Sequence, residues 1–205
     1  MKAYVDIDDV LARTIESLID LLDETHGRRV DVEAVEHFDL EKSFDLGEAE
    51  IFAFMERAHA DEALERIEPV HEGVRMLSEW AEEGLEVHLV TGRPPASNAA
   101  SRRWLECHGV AHAGLHHLDK WSRPTWNDGG LPALRFDELG EMAFDFAVED
   151  SLDTAIRLVE EFNLPVALMD RPWNRDLAAV APATRAQLTR CRGWRPVADF
   201  VSRLR

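Results

Sequence analysis

Two pairs of carboxylates stand where apolar runs give way to polar sequence. Val5-Asp6-Ile7-Asp8-Asp9-Val10 is the first. Alternation along an extended segment puts Asp6 and Asp8 on one side, where two carboxylates repel unless a cation lies between them or one holds a proton. The second pair, Glu149 and Asp150, sits in Ala147-Val148-Glu149-Asp150-Ser151. Hard oxygen donors brought together from separate strand ends suit an octahedral magnesium ion. Between the pairs, Val90-Thr91-Gly92-Arg93-Pro94 offers a hydroxyl, a guanidinium and a glycine amide that can approach an anion closely, which suits phosphate oxygens. A side-chain cation would complete such a site, and Lys120 is the only lysine between Thr91 and Glu149.

These residues need a scaffold that gathers them. Five short apolar runs, 3–7, 87–90, 114–118, 144–148 and 166–169, read as buried parallel strands. Helical stretches separate them: Val74, Leu77, Trp80 and Ala81 recur at helical spacing before Gly84, and Ala155, Leu158, Val159 and Phe162 before Asn163. The expected fold class is α/β, a doubly wound parallel sheet whose ligands gather outside the carboxyl ends of the strands. Each chemical motif above follows one of those strands. Residues 14–68 carry no strand signal. Ile15, Leu18, Ile19 and Leu22 form one apolar stripe ending at Gly27, and Ile51, Phe52, Phe54 and Met55 begin another after Gly47, so this stretch predicts a small all-helical insertion. Pro124, Asn127-Asp128-Gly129-Gly130 and Pro132 make 121–132 a loop or short hairpin.

Composition narrows the classes of partner. The 205 residues include 40 acidic and 23 basic side chains, a formal net charge of −17. That balance disfavours a nucleic-acid polymer or an anionic membrane surface as the main partner. The excess is lopsided, since residues 1–84 hold 24 acidic and 8 basic side chains. No apolar run approaches the roughly 20 residues that span a bilayer, and the first residues turn acidic where a signal peptide turns apolar, so a cytoplasmic location is expected. Cys107 and Cys191 are expected to be small buried hydrophobes, with neither a disulfide nor a cysteine metal site.

Asp6-Ile7-Asp8-Asp9-Val10, then Val90-Thr91-Gly92-Arg93-Pro94, then Val148-Glu149-Asp150-Ser151 resemble, in this order, motifs one, two and four of the haloacid dehalogenase superfamily. The resemblance implies a Rossmann-like core built from residues 1–13 and 69–205, with residues 14–68 as a helical C1 cap inserted after the first strand. Met169-Asp170-Arg171-Pro172-Trp173-Asn174-Arg175, together with His37-Phe38-Asp39-Leu40, is similar to the 5'(3')-deoxyribonucleotidase family. By resemblance the activity is magnesium-dependent phosphomonoester hydrolysis through an aspartyl-phosphate. Asp6 would be the nucleophile and Asp8 the general acid and base, while Thr91 and a lysine bind the transferring group. Magnesium would be held by Asp6, the Asp8 carbonyl and Asp150, with Glu149 a direct or water-mediated ligand. Relatives often carry the motif-three lysine about a dozen residues before the acidic pair, where this sequence has Arg135, so either Lys120 or Arg135 fills that role.

Substrate-binding candidates are Gly92, Arg93, Arg135, Arg171, Asn174 and Arg175; the last three serve either substrate binding or loop closure. The expected substrate is a small phosphate ester, a nucleotide or a sugar phosphate, with no polymer and no membrane as partner. Trp121 and Trp126 are loop anchors or base-stacking residues. Phe38, Phe44, Phe52 and Phe54 are mostly core, with about one facing the cleft. His108, His112, His116 and His117 match no strong zinc spacing. Two other classes use similar residues: a phospho-acceptor receiver, which lacks a helical insertion after its first strand, and a non-catalytic metal-binding member.

Overall fold

Short segments with almost no exposed position build the sheet. The computed structural model describes residues 1–120 and 132–205; the expected roles of Trp121, Trp126 and the 121–131 loop fall outside the described residues. Strands β1 (Lys2–Val5), β2 (Glu86–Thr91), β3 (Gly114–His117), β4 (Phe146–Glu149), β5 (Val166–Met169) and β6 (Leu188–Cys191) form one sheet of order β3-β2-β1-β4-β5-β6. All five pairings are parallel. Strands β4 and β5 are buried at every residue, as a sheet covered on both faces requires. The sequence missed β6. It is an edge strand, half-buried along Leu188-Thr189-Arg190, and so lacks the apolar run that marks the others.

Helices cover both faces. Helices α5 (His71–Glu82), α6 (Asn98–Cys107) and α9 (Trp194–Leu204) pack Leu77, Trp80, Trp104, Leu105, Trp194 and Phe200 against Ala3, Val5, Leu89, Phe146 and Val148. Contact on that face is close: a Cβ on Gly73 would lie 2.5 Å from the Trp194 indole nitrogen, so only glycine fits. On the other face, α7 (Leu152–Phe162) and a short 3-10 turn (Phe136–Met142) bring Leu158, Val159, Phe136 and Leu139 onto Tyr4, Val90, Ala147 and Leu168. Helix α8 (Pro182–Arg185) precedes β6.

Between β1 and α5 lie α1 (Thr14–His26), α2 (Leu40–Phe44), α3 (Glu48–Ala58) and α4 (Asp61–Glu65), with no strand among them. Gly27 ends α1 in the left-handed region, at φ 62°. The apolar stripes of α1 and α3 meet in a cluster of their own: Ile15, Ile19, Leu22, Val35, Phe44, Leu46 and Phe54. Among the described residues no helix is long and apolar enough to cross a membrane. Cys191 is buried as expected, but Cys107 at the end of α6 is exposed.

Candidate active site

Strand order reverses at β1, which has β2 on one side and β4 on the other, and a crevice opens at the carboxyl ends there. Asp6 continues β1, its amide donating to the Val148 carbonyl at 3.0 Å. The chain then turns sharply: the Ile7 carbonyl accepts from the amides of Val10, Leu11 and Ala12, and Asp9 sits at φ 56°. Thr91 and Glu149 are the last residues of β2 and β4. Lys120 follows Leu118, whose amide bonds to the Thr91 carbonyl at 2.8 Å.

Three acids and a lysine converge at the crevice floor, all buried. Lys120 Nζ lies 3.1 Å from Asp6 Oδ1 and 2.9 Å from Glu149 Oε2. Glu149 is fully engaged. Its Oε2 also accepts from the Tyr4 hydroxyl at 2.8 Å, and its Oε1 from the amides of Asp150 and Ser151 at 3.2 and 3.0 Å. Asp6 Oδ1, by contrast, is buried and among the described residues receives no hydrogen bond in good geometry, although Lys120 stands beside it. Oxygens of Asp6, Glu149 and Asp150 lie within 4.8 Å of one another. Burial, then the neighbouring Glu149, push the Asp6 and Asp150 carboxyls well above their ordinary range. Burial alone would lower the Lys120 pKa, but Asp6 and Glu149 hold it well above normal, so the ammonium stays charged. An orphaned buried oxygen among hard oxygen donors fits a divalent cation such as Mg2+, with Asp6 and Asp150 as the acids free to bind it. Glu149, expected as a direct or water-mediated ligand, belongs to the same cluster and also anchors Lys120.

Asp8 lies apart from this cluster. Its carboxylate is paired with a cation of its own, Arg93, which bears on the side chain and not on the Asp8 carbonyl. Arg93 Nε lies 3.1 Å from each Asp8 oxygen and Nη2 lies 2.7 Å from Oδ1, while Thr14 and Thr91 hydroxyls donate at 2.7 and 3.2 Å. Burial would raise the Asp8 carboxyl, but the Arg93 charge, with hydrogen bonds from Arg93 and Thr14, brings it down to about 2. Arg93 is itself 3% exposed and lines the cleft with its guanidinium engaged on Asp8. Its backbone is steadied by His117, whose Nδ1–H donates to the Arg93 carbonyl at 2.9 Å.

The cation question left open by the sequence has a geometric answer. Lys120 reaches Asp6, whereas Arg135 points to solvent, its side chain 68% exposed and paired with Asp137 at 2.9 Å. Arg171 donates to the Asp9 carbonyl, and Asn174, fully buried, donates to the Asp150 and Met169 carbonyls, both at 2.7 Å. Arg175 pairs with Glu33 of the insertion. All three therefore close loops in this structure. Gly92 lines the cleft together with Asp6, Asp8, Lys120 and Asp150.

Sequence reasoning passed over Tyr4, Asp9 and Trp173. Tyr4 is the only tyrosine and stands two residues before Asp6 on β1, which was a usable signal. Asp9, whose carboxylate accepts the Ile15 amide at 3.0 Å, is pushed up to about 8 by burial. Trp173 donates its indole N–H to Asp150 Oδ2 at 2.9 Å. The cleft above the floor has a volume of about 1780 Å3, and its far wall comes from α1, α3 and α4. Phe44 and Phe54 are core, but Phe38 and Phe52, 43% and 63% exposed, both line the cleft, so two of the four phenylalanines face it.

No family model matches the chain. A candidate nucleotidase of Halalkalibacterium halodurans is 26% identical over 154 residues, 75% of this chain and 72% of that protein. Among solved structures, a candidate phosphatase from Clostridium acetobutylicum superposes with a TM-score of 0.67 at 12% identity, covering 98% of both chains. A haloacid dehalogenase family hydrolase from Deinococcus radiodurans, solved with phosphate and sodium, superposes with a TM-score of 0.61 at 14% identity, over 99% of this chain and 95% of that one. The chain has the haloacid dehalogenase fold. Its resemblance is to the phosphatases of that superfamily. The haloacid dehalogenase fold accounts for where the site lies, and the chemistry must be argued from the site itself.

Proposed function

We propose that this chain is a magnesium-dependent phosphomonoester hydrolase that works through an aspartyl-phosphate on Asp6 and prefers nucleotide-like substrates. The observation that carries the reading is the floor itself: an Asp6 oxygen without a hydrogen bond from the described residues, 3.1 Å from a buried Lys120, with Asp150 alongside and Gly92 lining the cleft. Bound Mg2+, held by Asp6, Asp150 and the Asp8 carbonyl, would offset the negative charge that otherwise keeps a carboxylate from an anionic phosphoryl group. Asp6 attacks phosphorus and the ester oxygen leaves. Lys120, the Thr91 hydroxyl and the Gly92 amide stabilise the transferring oxygens. Asp8 protonates the leaving oxygen, then takes a proton from the water that attacks the acyl phosphate, which frees phosphate and restores Asp6. Because Arg93 holds Asp8 ionised, the first of these proton transfers requires Asp8 to exchange that pairing for a proton.

The inserted helices over residues 14–68 are the cap in this reading. Exposed Phe38 and Phe52 give the cleft aromatic surface for a base, and the similarity to a candidate nucleotidase points the same way. The test is phosphate release with Mg2+ from a panel of nucleoside monophosphates and sugar phosphates, with EDTA and Asp6→Asn as controls. Magnesium-dependent release that is fastest on nucleotides is expected. A folded chain that releases phosphate from no member of the panel refutes the hydrolase reading; faster release from sugar phosphates refutes the nucleotide preference alone.

A further inference from the structure

Six residues after β5, Asp170 to Arg175, bond to the turn after β1, to the loop after β4 and to the inserted helices. Arg171 holds the turn after β1 through the Asp9 carbonyl, with Nε at 3.1 Å and Nη2 as a second donor. Asn174 holds the loop after β4 through the Asp150 carbonyl at 2.7 Å. Trp173 holds the Asp150 carboxylate through Oδ2 at 2.9 Å. The segment is itself stiffened. Asn174 Oδ1 accepts from the Arg171 amide at 3.2 Å and from Arg190 at 2.7 Å, and Arg190 also bonds Asp170 Oδ1 at 2.7 Å. On its other side the segment meets the inserted helices: the Trp173 ring packs against the cluster of Ile15, Leu22, Val35 and Phe44, and Arg175 pairs with Glu33.

We infer that this segment is the clamp that sets the cation site, with Trp173 a positioning residue that orients Asp150 and ties ion binding to the seating of the inserted helices. The inference rests on Asp150 being a metal ligand, as proposed above. A carboxylate with one oxygen committed to a fixed indole N–H cannot swing about its own axis, which leaves Oδ1 for the cation. Outer-shell hydrogen bonds of this kind are worth about 10–100-fold in metal affinity. Trp173 joins Asp150 to the insertion's core, so tighter packing of the helices and tighter ion binding favour each other, and linkage makes the effect reciprocal.

Trp173→Phe keeps an aromatic ring and removes the N–H. Isothermal titration with Mg2+ is the measurement, on wild type and variant, with melting in EDTA to show that both are folded. Expected is an about 10–100-fold weaker Mg2+ affinity for W173F with a near-unchanged melting temperature in EDTA. In wild type, Mg2+ should also slow limited proteolysis within residues 14–68, and W173F should lose that protection. Mg2+ affinity within about twofold of wild type overturns the inference while leaving the hydrolase reading intact. Wild type that binds no Mg2+ at millimolar concentration overturns the metal reading and this inference with it. Should W173F fail to fold, W173M, which likewise has no polar hydrogen, carries the same comparison with the same expected loss.

Discussion

Replacing Asp6 with Asn should abolish turnover and, in EDTA, stabilise the chain. Asp6 faces two other carboxylates within 4.8 Å and one ammonium at 3.1 Å, all buried. At an effective dielectric of about 20, each like-charge pair costs about 3.5 kcal/mol and the Lys120 pair returns about 5 kcal/mol, a net repulsion of about 2 kcal/mol on Asp6. Desolvation of the buried carboxylate adds to that cost, and partial protonation relieves some of it. Asn occupies nearly the same volume without the charge, so a gain of about 2 kcal/mol is expected, or about 4–8 °C in melting temperature for a chain of this size. Saturating Mg2+ should reverse the ranking: wild type gains about 3 kcal/mol at a hundredfold excess over the dissociation constant, and the Asn variant gains little.

The sign with pH follows from the same charges. Asp6 and Asp150 have raised carboxyls in the folded chain, and Asp9 is raised from 3.8 to about 8, so the folded state binds protons more tightly than the unfolded one. Stability without metal therefore falls as pH rises from about 4 towards 8, less steeply in the Asn variant. Thermal unfolding in EDTA and in Mg2+ at several pH values measures all of this. An Asn variant that melts below wild type in EDTA refutes the reasoning, since it would show that Asp6 is structurally satisfied.

Arg93→Gln should cost about 2.5 kcal/mol or more at neutral pH, because the fall of Asp8 from 3.8 to about 2 is what remains after Arg93 has overcome the effect of burial. That contribution is present above pH 4 and lost as pH falls through 2, so urea unfolding should find the variant and wild type far closer at pH 2 than at pH 6. Lys120→Met leaves Glu149 and Asp6 buried without their cation; it should destabilise the chain by about 3–5 kcal/mol and end turnover, while Arg135→Ala changes neither, as denaturation and phosphate release would show.

Much of the sheet was legible because buried parallel strands announce themselves as apolar runs, and each chemical motif stood at the end of one. β6 was not, since an edge strand half open to solvent tolerates Thr189 and Arg190. The identities of Asp6, Asp8, Lys120, Glu149 and Asp150 could be read, but not which charge meets which. Arg93 and Arg135 look alike in sequence, yet one is buried against Asp8 and the other paired at the surface. Sequence spacing carries alternation along one strand; it says nothing of the neighbour across the sheet, and Lys120 meets Glu149 because β3 and β4 flank the β2–β1 pair at one edge. Trp173 was hidden for the same reason, lying 23 residues from the carboxylate it holds.

On the proposed reading, the pairing pattern explains how a chain with a net charge of −17 would receive an anion. At the crevice, Asp6, Asp8, Glu149 and Asp150 meet Arg93 and Lys120, four negative charges against two positive. Arg93 is spent on Asp8, and Lys120 is shared between Glu149 and Asp6, with Tyr4 and two amides completing the shell of Glu149. Asp9 adds little charge at neutral pH, since its carboxyl is pushed up to about 8. That leaves the carboxyls of Asp6 and Asp150, both held well above their ordinary range by burial and by Glu149, and losing their protons to one divalent cation would leave the floor neutral. With the ion bound, Lys120 and the Gly92 amide would face the substrate across a neutral floor. On that reading the ion would be the condition for substrate entry as well as for chemistry, and substrate affinity should vanish together with turnover when it is removed.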